Sequence, residues 1–269
     1  MNKKSDIFIK IVDEFVENFQ NRYDCVAILD GSVNNREHIY NFSDIDIKIF
    51  ADPEIINKDF FADVATAIKE SLGQEKMVFN AWVLSTEDFP NKQDGVYFDF
   101  VRRFVLKKEQ LLFGNLDMES IILKKEIDKM DRDVCIKAIV GFLIRLRRLL
   151  TNPMAISDVK KIDNHLLLQQ GIAYYFHFLR YYNAFFGNVV LKIKDSVNFY
   201  INNELTSKSR SVFAEKVYNM RNEWDRTLKI YDQAEGLSFL NEVVGHMEFV
   251  LDHSLRPNLG LNNQLITYY

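Results

Sequence analysis

The sequence predicts two halves of different class: an N-terminal α/β half built on a small mixed sheet, then an all-α helical bundle. Three observations predict it. Short apolar runs of strand length alternate with helix-spaced segments as far as about residue 106. From about residue 119 the strand signals largely stop and long stretches of 3.6-residue periodicity follow. The 269 residues are 48% hydrophobic and 27% charged, with only four prolines and ten glycines, so there is apolar material for a sizeable core and little sign of linkers or disorder. The boundary falls near residues 114–130, giving units at 1–125 and 126–269.

In chain order, Phe8, Ile11, Val12, Phe15, Val16 and Phe19 have helical spacing over residues 5–21, with Ser5 as a cap. Residues 24–30 read as a buried strand and residues 44–50 as a second. Phe60, Phe61, Val64, Ala67 and Ile68 mark one face of a helix over 57–72, stopped by Gly73. Residues 76–84 form a third strand, residues 89–95 have turn chemistry, and 96–106 form a fourth strand. The second half then carries helices over 131–150, 158–186, 208–230 and 236–253. Tyr174, Tyr175, Phe176, Phe178, Tyr181, Tyr182, Phe185 and Phe186 crowd one of these and cover more than one of its faces. Some of them are therefore expected at an interface or lining a pocket, with bundle core as the plainer reading.

Charge and cysteine usage exclude several classes. A net charge of −4 and a pI near 5.8 disfavour a broad nucleic-acid footprint and suit a small neutral or cationic partner. No apolar run approaches a membrane span. Lys3 and Lys4 are followed by Asp6, Asp13, Glu14 and Glu17 rather than by an apolar segment, which argues against a secretory signal. Cys25 and Cys135 lie far apart in apolar surroundings, as reduced core residues of a cytoplasmic protein do, and no Cys/His cluster has zinc spacing.

The chemistry concentrates in residues 28–50. An apolar run closes on Gly31-Ser32. A polar spacer follows, and Ser43-Asp44-Ile45-Asp46 opens the next apolar run. Alternate side chains of a strand share a face, so Asp44 and Asp46 point one way and Ile45 and Ile47 into the core. Two carboxylates so spaced can hold Mg²⁺, a hard cation that usually keeps substrate phosphates as further ligands. The Gly31-Ser32 turn offers backbone N–H groups and a hydroxyl, and Gly lets the backbone come close. The plain alternative is a hairpin with both carboxylates on its wet face.

The ordered combination of strand, Gly-Ser, spacer, Asp-X-Asp and strand resembles the nucleotidyltransferase (polymerase-beta-like) superfamily. The resemblance covers roughly residues 25–105. With a helical half after it, the layout is similar to that of the aminoglycoside and lincosamide nucleotidyltransferases. It implies transfer of a nucleoside monophosphate from a nucleoside triphosphate, ATP in the first instance, to a hydroxyl of a small-molecule acceptor, with antibiotic resistance as one setting. By resemblance, Asp44 and Asp46 are the Mg²⁺ ligands and catalytic carboxylates, and Gly31 and Ser32 hold the triphosphate. Lys48 shares the face of Asp46 and offers charge to the phosphates, or is an edge-strand lysine. Arg36 is a phosphate contact or a surface arginine. Its loop reads Arg36-Glu37-His38 where many members have a second glycine. The superfamily's third carboxylate, a metal ligand or proton acceptor, is best matched by Asp99, in an aromatic run where a carboxylate needs a partner. Pairing with Arg102 or Arg103 is the alternative. The helical unit is expected to bind substrate or to dimerise, and the layout is compatible with a homodimer. Two other readings stay open: nucleotidylation of a protein or RNA, as in nucleotidylating antitoxins, and a catalytically inactive nucleotide-binding module.

Overall fold

A computed structural model describes residues 6–85, 111–114, 132–151, 164–188, 190, 192–231 and 233–259. The chain divides into two compact units, Met1–Ile127 and Asp128–Tyr269. The Ser5 cap, the turn at 89–95, the strand expected at 96–106 and residues 158–163 of an expected helix lie outside the described residues.

The first unit runs α1 (Asp6–Phe19), β1 (Cys25–Asp30), the four-residue α2 (Gly31–Asn34), β2 (Ile45–Ala51), α3 (Lys58–Leu72), β3 (Phe79–Ser85) and β4 (Leu111–Phe113). The described strands form one mixed sheet in the order β3-β2-β1-β4. β1 runs antiparallel to β2 and β4, while β2 and β3 are parallel. A parallel pair needs a crossover, and α3 supplies it. Asn57 starts that helix, its side-chain oxygen accepting from the Asp59 and Phe60 amides. Phe61, expected on the buried face of α3, is instead 50% exposed, edge-on to the buried Phe60. β4 escapes sequence reading because three residues are too few to show a period.

Pairing register sorts the sheet's two faces. Directly opposed residues point to the same side, and Ile28 opposes Lys48, Asp30 opposes Asp46, Asp46 opposes Asn80 and Lys48 opposes Trp82. One face therefore carries Asp30, Asp46, Lys48, Asn80 and Trp82. The other carries Ala27, Leu29, Ile45, Ile47 and Ile49, packed under Phe8, Val12, Phe15 and Phe19 of α1 and Phe60, Val64 and Ala67 of α3. Ile45, Ile47 and Ile49 are fully buried. Each contributes on the order of 1.5–3 kcal/mol to holding β2 in this register.

The second unit is helical: α4 (Arg132–Thr151), α5 (Asn164–Phe185), α6 (Ile193–Ile201), α7 (Lys208–Asn222), α8 (Trp224–Ile230) and α9 (Gln233–Val250). A π turn at Leu251–Leu255 and a 3-10 turn at Pro257–Leu259 follow. No described helix is long and apolar enough to cross a membrane. Sequence periodicity misses the nine-residue α6. It also predicts one helix over 208–230, which the structure divides at Glu223. There ψ departs to 39°, and the Thr227 hydroxyl donates to the Met220 carbonyl at 2.8 Å, offering that oxygen a side-chain partner in place of the main-chain ladder.

The aromatic helix α5 follows the plainer reading, bundle core, for most of its aromatic run, while Tyr174 and Phe186 are half-buried. Tyr175, Phe176, Phe178, Tyr181, Tyr182 and Phe185 are all buried, although they span more than one face. The reason is that α5 is wrapped, with α4, α6, α7 and α9 all packed against it. Gly171 lets α9 come near, since a Cβ there would stand 3.0 Å from the Phe239 ring. The histidines of this unit also belong to its packing. His165 lies edge-on to Trp224, and His177 stacks on Phe142.

His246 of α9 lies among Tyr175, Tyr200 and Phe213. Its Nε2 is 2.8 Å from the Tyr200 hydroxyl and 3.2 Å from that of Tyr175. Burial, and then the Arg210 guanidinium, hold its imidazole down to about 4. The unfolded chain takes up a proton near pH 6.5 that the folded chain refuses until about 4, so stability is lost as pH falls through that window. His246→Gln should shrink that loss by up to about 3 kcal/mol, read from urea unfolding midpoints of both proteins between pH 7.5 and 4.

Candidate functional site

Strand alternation on β2 builds the site. Ile45, Ile47 and Ile49 are anchored under the helices, which forces Asp46 and Lys48 to the opposite face. Asp44, just ahead of the strand, is held by the loop that feeds it. The Ile39 amide donates to Ser43 Oγ and the Ser43 amide to the Ile39 carbonyl, each at 2.9 Å. The Ile45 amide donates to the Val78 carbonyl and ties the strand entry to β3.

Asn80 of β3 stands beside both carboxylates. Its Nδ2 donates to Asp44 Oδ2 at 3.0 Å and to Asp46 Oδ1 at 3.1 Å. Gly31 approaches from the other side with φ +70°, and a Cβ on it would lie 2.8 Å from Asp46 Oδ2. Glycine is needed here twice, for the left-handed backbone and for the room. Behind the pair, the Lys48 ammonium lies 3.3 Å from Asp30 Oδ2 and 4.9 Å from the centre of the Trp82 ring. Asp30 caps α2 by position, but its side chain makes no capping bond.

The electrostatics follow from that crowding. Burial, and then the charge of Asp44, push the Asp46 carboxyl up to about 6. Burial likewise raises Asp44, with Asp30 adding to the effect. The Asn80 hydrogen bonds and the Lys48 charge oppose both shifts. Partly buried carboxylates that repel each other gain from a shared cation, and an all-oxygen, anionic donor set suits Mg²⁺. Among the described residues no group of three His, Cys, Asp or Glu is placed to hold a metal ion. A cation at this face would meet the Asp44 and Asp46 carboxylates, with the Asn80 amide between them.

Of the residues picked out in the sequence, Gly31, Asp44, Asp46 and Lys48 come together. Lys48 is not an edge-strand lysine: β2 lies between β1 and β3, and Lys48 is 5% exposed. Ser32 follows Gly31 in α2, where its carbonyl accepts from the Glu37 amide at 2.8 Å. Arg36 adopts the left-handed conformation, φ 57°, which glycine would take without cost. Asp99, Arg102 and Arg103 lie outside the described residues. Sequence reading missed Asp30 and Asn80. Asp30 directly precedes Gly31, and Asn80 sits on the polar beat of Phe79-Asn80-Ala81-Trp82-Val83, so alternation held the signal.

No known protein family, curated protein or solved structure matches this chain.

Two consequences are measurable without substrate. Gly31→Ala should destabilise the protein by roughly 1–3 kcal/mol, from the left-handed backbone and the displaced Asp46 carboxylate, seen as a lower melting temperature. In the cation-free protein, Asp46 keeps its proton to a higher pH in the folded than in the unfolded state, so its ionised form costs stability above about pH 6 and not below about 4. Asp46→Asn in chelator should therefore melt higher than wild type at pH 7.5, by roughly 2–3 kcal/mol of stability, with the difference gone near pH 4.

Proposed function

We propose that the chain is a Mg²⁺-dependent nucleotidyltransferase. It would move a nucleoside monophosphate from a nucleoside triphosphate, ATP in the first instance, to a hydroxyl of a small molecule. The observation that carries the reading is the Asp44–Asp46 pair, bridged by Asn80 and approached by Gly31, on the face of the sheet opposite the one that α1 and α3 cover. The acceptor oxygen attacks the α-phosphorus and the bond to pyrophosphate breaks. Such a transfer asks the protein for alignment and charge stabilisation rather than covalent chemistry. A divalent ion, when bound, neutralises developing charge on the phosphates.

Asp44 and Asp46 hold that ion. Gly31 and Ser32 let the triphosphate lie against the backbone at the end of β1. Lys48, set on the same face by strand alternation and paired with Asp30, adds positive field, and Arg36 reaches the phosphates from the following loop. Asp99 is the proposed acceptor of the hydroxyl proton or third metal ligand. The helical unit supplies the acceptor surface or a dimer contact. An aminoglycoside or lincosamide is the first acceptor to try, and the cytoplasm, where nucleoside triphosphates are abundant, is the proposed setting.

A second reading is favoured by one specific feature. Asn80, the residue beside the pair, cannot accept a proton. That composition suits a module that binds a nucleotide without turning it over. A chain that transfers nucleotide to a protein or RNA is the other outcome to be tested.

The test is pyrophosphate release from each nucleoside triphosphate, with and without Mg²⁺, over a panel of aminoglycosides and lincosamides. The expected result is acceptor-dependent release, lowered by about a hundred- to a thousandfold in Asp46→Asn. Triphosphate binding without release under any acceptor would favour the binding module. Release that needs an added protein or RNA would replace the small-molecule acceptor.

A further inference from the structure

We propose that Asn80 is a positioning residue for the cation. Without the ion its amide spans the two carboxylates, and on loading it turns its carbonyl oxygen to the ion as a neutral third ligand. The inference rests on the reading of Asp44 and Asp46 as cation ligands given above, and goes beyond it in assigning a role to a strand that the motif does not include.

Three observations carry it. One nitrogen, Asn80 Nδ2, lies within hydrogen-bond distance of an oxygen on each carboxylate, at 3.0 and 3.1 Å. The amide is therefore already where an ion shared by the two would be felt. Next, Asn80 opposes Asp46 in the parallel β2–β3 register, so its reach is set by sheet geometry rather than by a loop. Last, two carboxylates are few protein ligands, and among the described residues they belong to no group of three His, Cys, Asp or Glu placed to hold an ion; Asp30, opposite Asp46, is paired with Lys48. A side-chain amide oxygen is a hard donor of the same kind.

The chemistry of the amide does the rest. An NH₂ group suits two anions and repels a cation. A half-turn about the Cβ–Cγ bond exchanges nitrogen for oxygen with almost no movement of the other atoms. Because the ligand is neutral, it adds no negative charge to hold a bare ion. Loading then favours an ion that arrives already carrying triphosphate. A third carboxylate at the same position would trap the ion alone.

The experiment is calorimetric titration with Mg²⁺, alone and with a non-hydrolysable triphosphate, of wild type, Asn80→Ala, Asn80→Asp and Asp46→Asn. Melting curves confirm folding. Asn80→Ala should weaken Mg²⁺ binding by about tenfold or more under both conditions, and Asn80→Asp should tighten binding of the bare ion by a similar factor, as changes around metal ligands do. In wild type, the side-chain amide resonances of Asn80 should shift on Mg²⁺ addition, which a merely structural asparagine would not show. Wild-type affinity in Asn80→Ala, with unshifted amide resonances, overturns the role of Asn80 and leaves the carboxylate pair standing. Wild-type binding that is absent, or equal to that of Asp46→Asn, overturns the cation site itself. The two variants at position 80 keep the test decisive if one of them fails to fold.

Discussion

Like charges two residues apart at the start of one strand repel, and the polar face of the sheet is organised around that repulsion. Asp44 and Asp46 are partly buried, so water screens them poorly and their proton affinity rises. Three neighbours limit the cost. Asn80 donates to both. Lys48 contributes positive charge from within the same face. Gly31 withholds the side chain that would collide with Asp46. Each belongs to a different strand or strand end, so the pair is stable only while β1, β2 and β3 are all in register.

Lys48 and Asp30 show how the same face avoids a worse imbalance. A lysine this buried needs a counter-charge, and Asp30, one residue before Gly31, supplies it at 3.3 Å. The two oppose each other's effect on the carboxylate pair: Lys48 lowers the proton affinity of Asp44 and Asp46, and Asp30 raises it. The Lys48–Asp30 pair thus sets the electrical background of the site.

Much of this was legible in the sequence, for identifiable reasons. Asp44 and Asp46 on one face and Ile45 and Ile47 on the other is a statement about period two, and strands obey it whatever surrounds them. Helices α1, α3, α4 and α9 announced themselves because their apolar stripes are long. What was not legible depends on partners distant in sequence. Nothing near Asn80 says that β3 will lie parallel to β2 with Asn80 opposite Asp46. The sequence leaves Lys48 as a phosphate contact or an edge lysine, and only the flanking of β2 on both sides removes the edge. How the aromatic run of α5 is covered on more than one face depends on the four helices packed around it, which periodicity does not reveal. β4 and α6 are too short to carry a period at all.

The alternation on β2 also bears on how the site comes into being. A slip of one residue would drive Asp46 and Lys48 beneath α1 and α3 and turn Ile45, Ile47 and Ile49 out to the polar side. No half-formed version of the strand keeps the carboxylates usable while the core is wrong, since the same backbone assigns both. The site is thus assembled at the moment the hydrophobic layer closes. A variant weakened in that layer would be found as a smaller population of fully competent molecules, not as a uniform population of impaired ones.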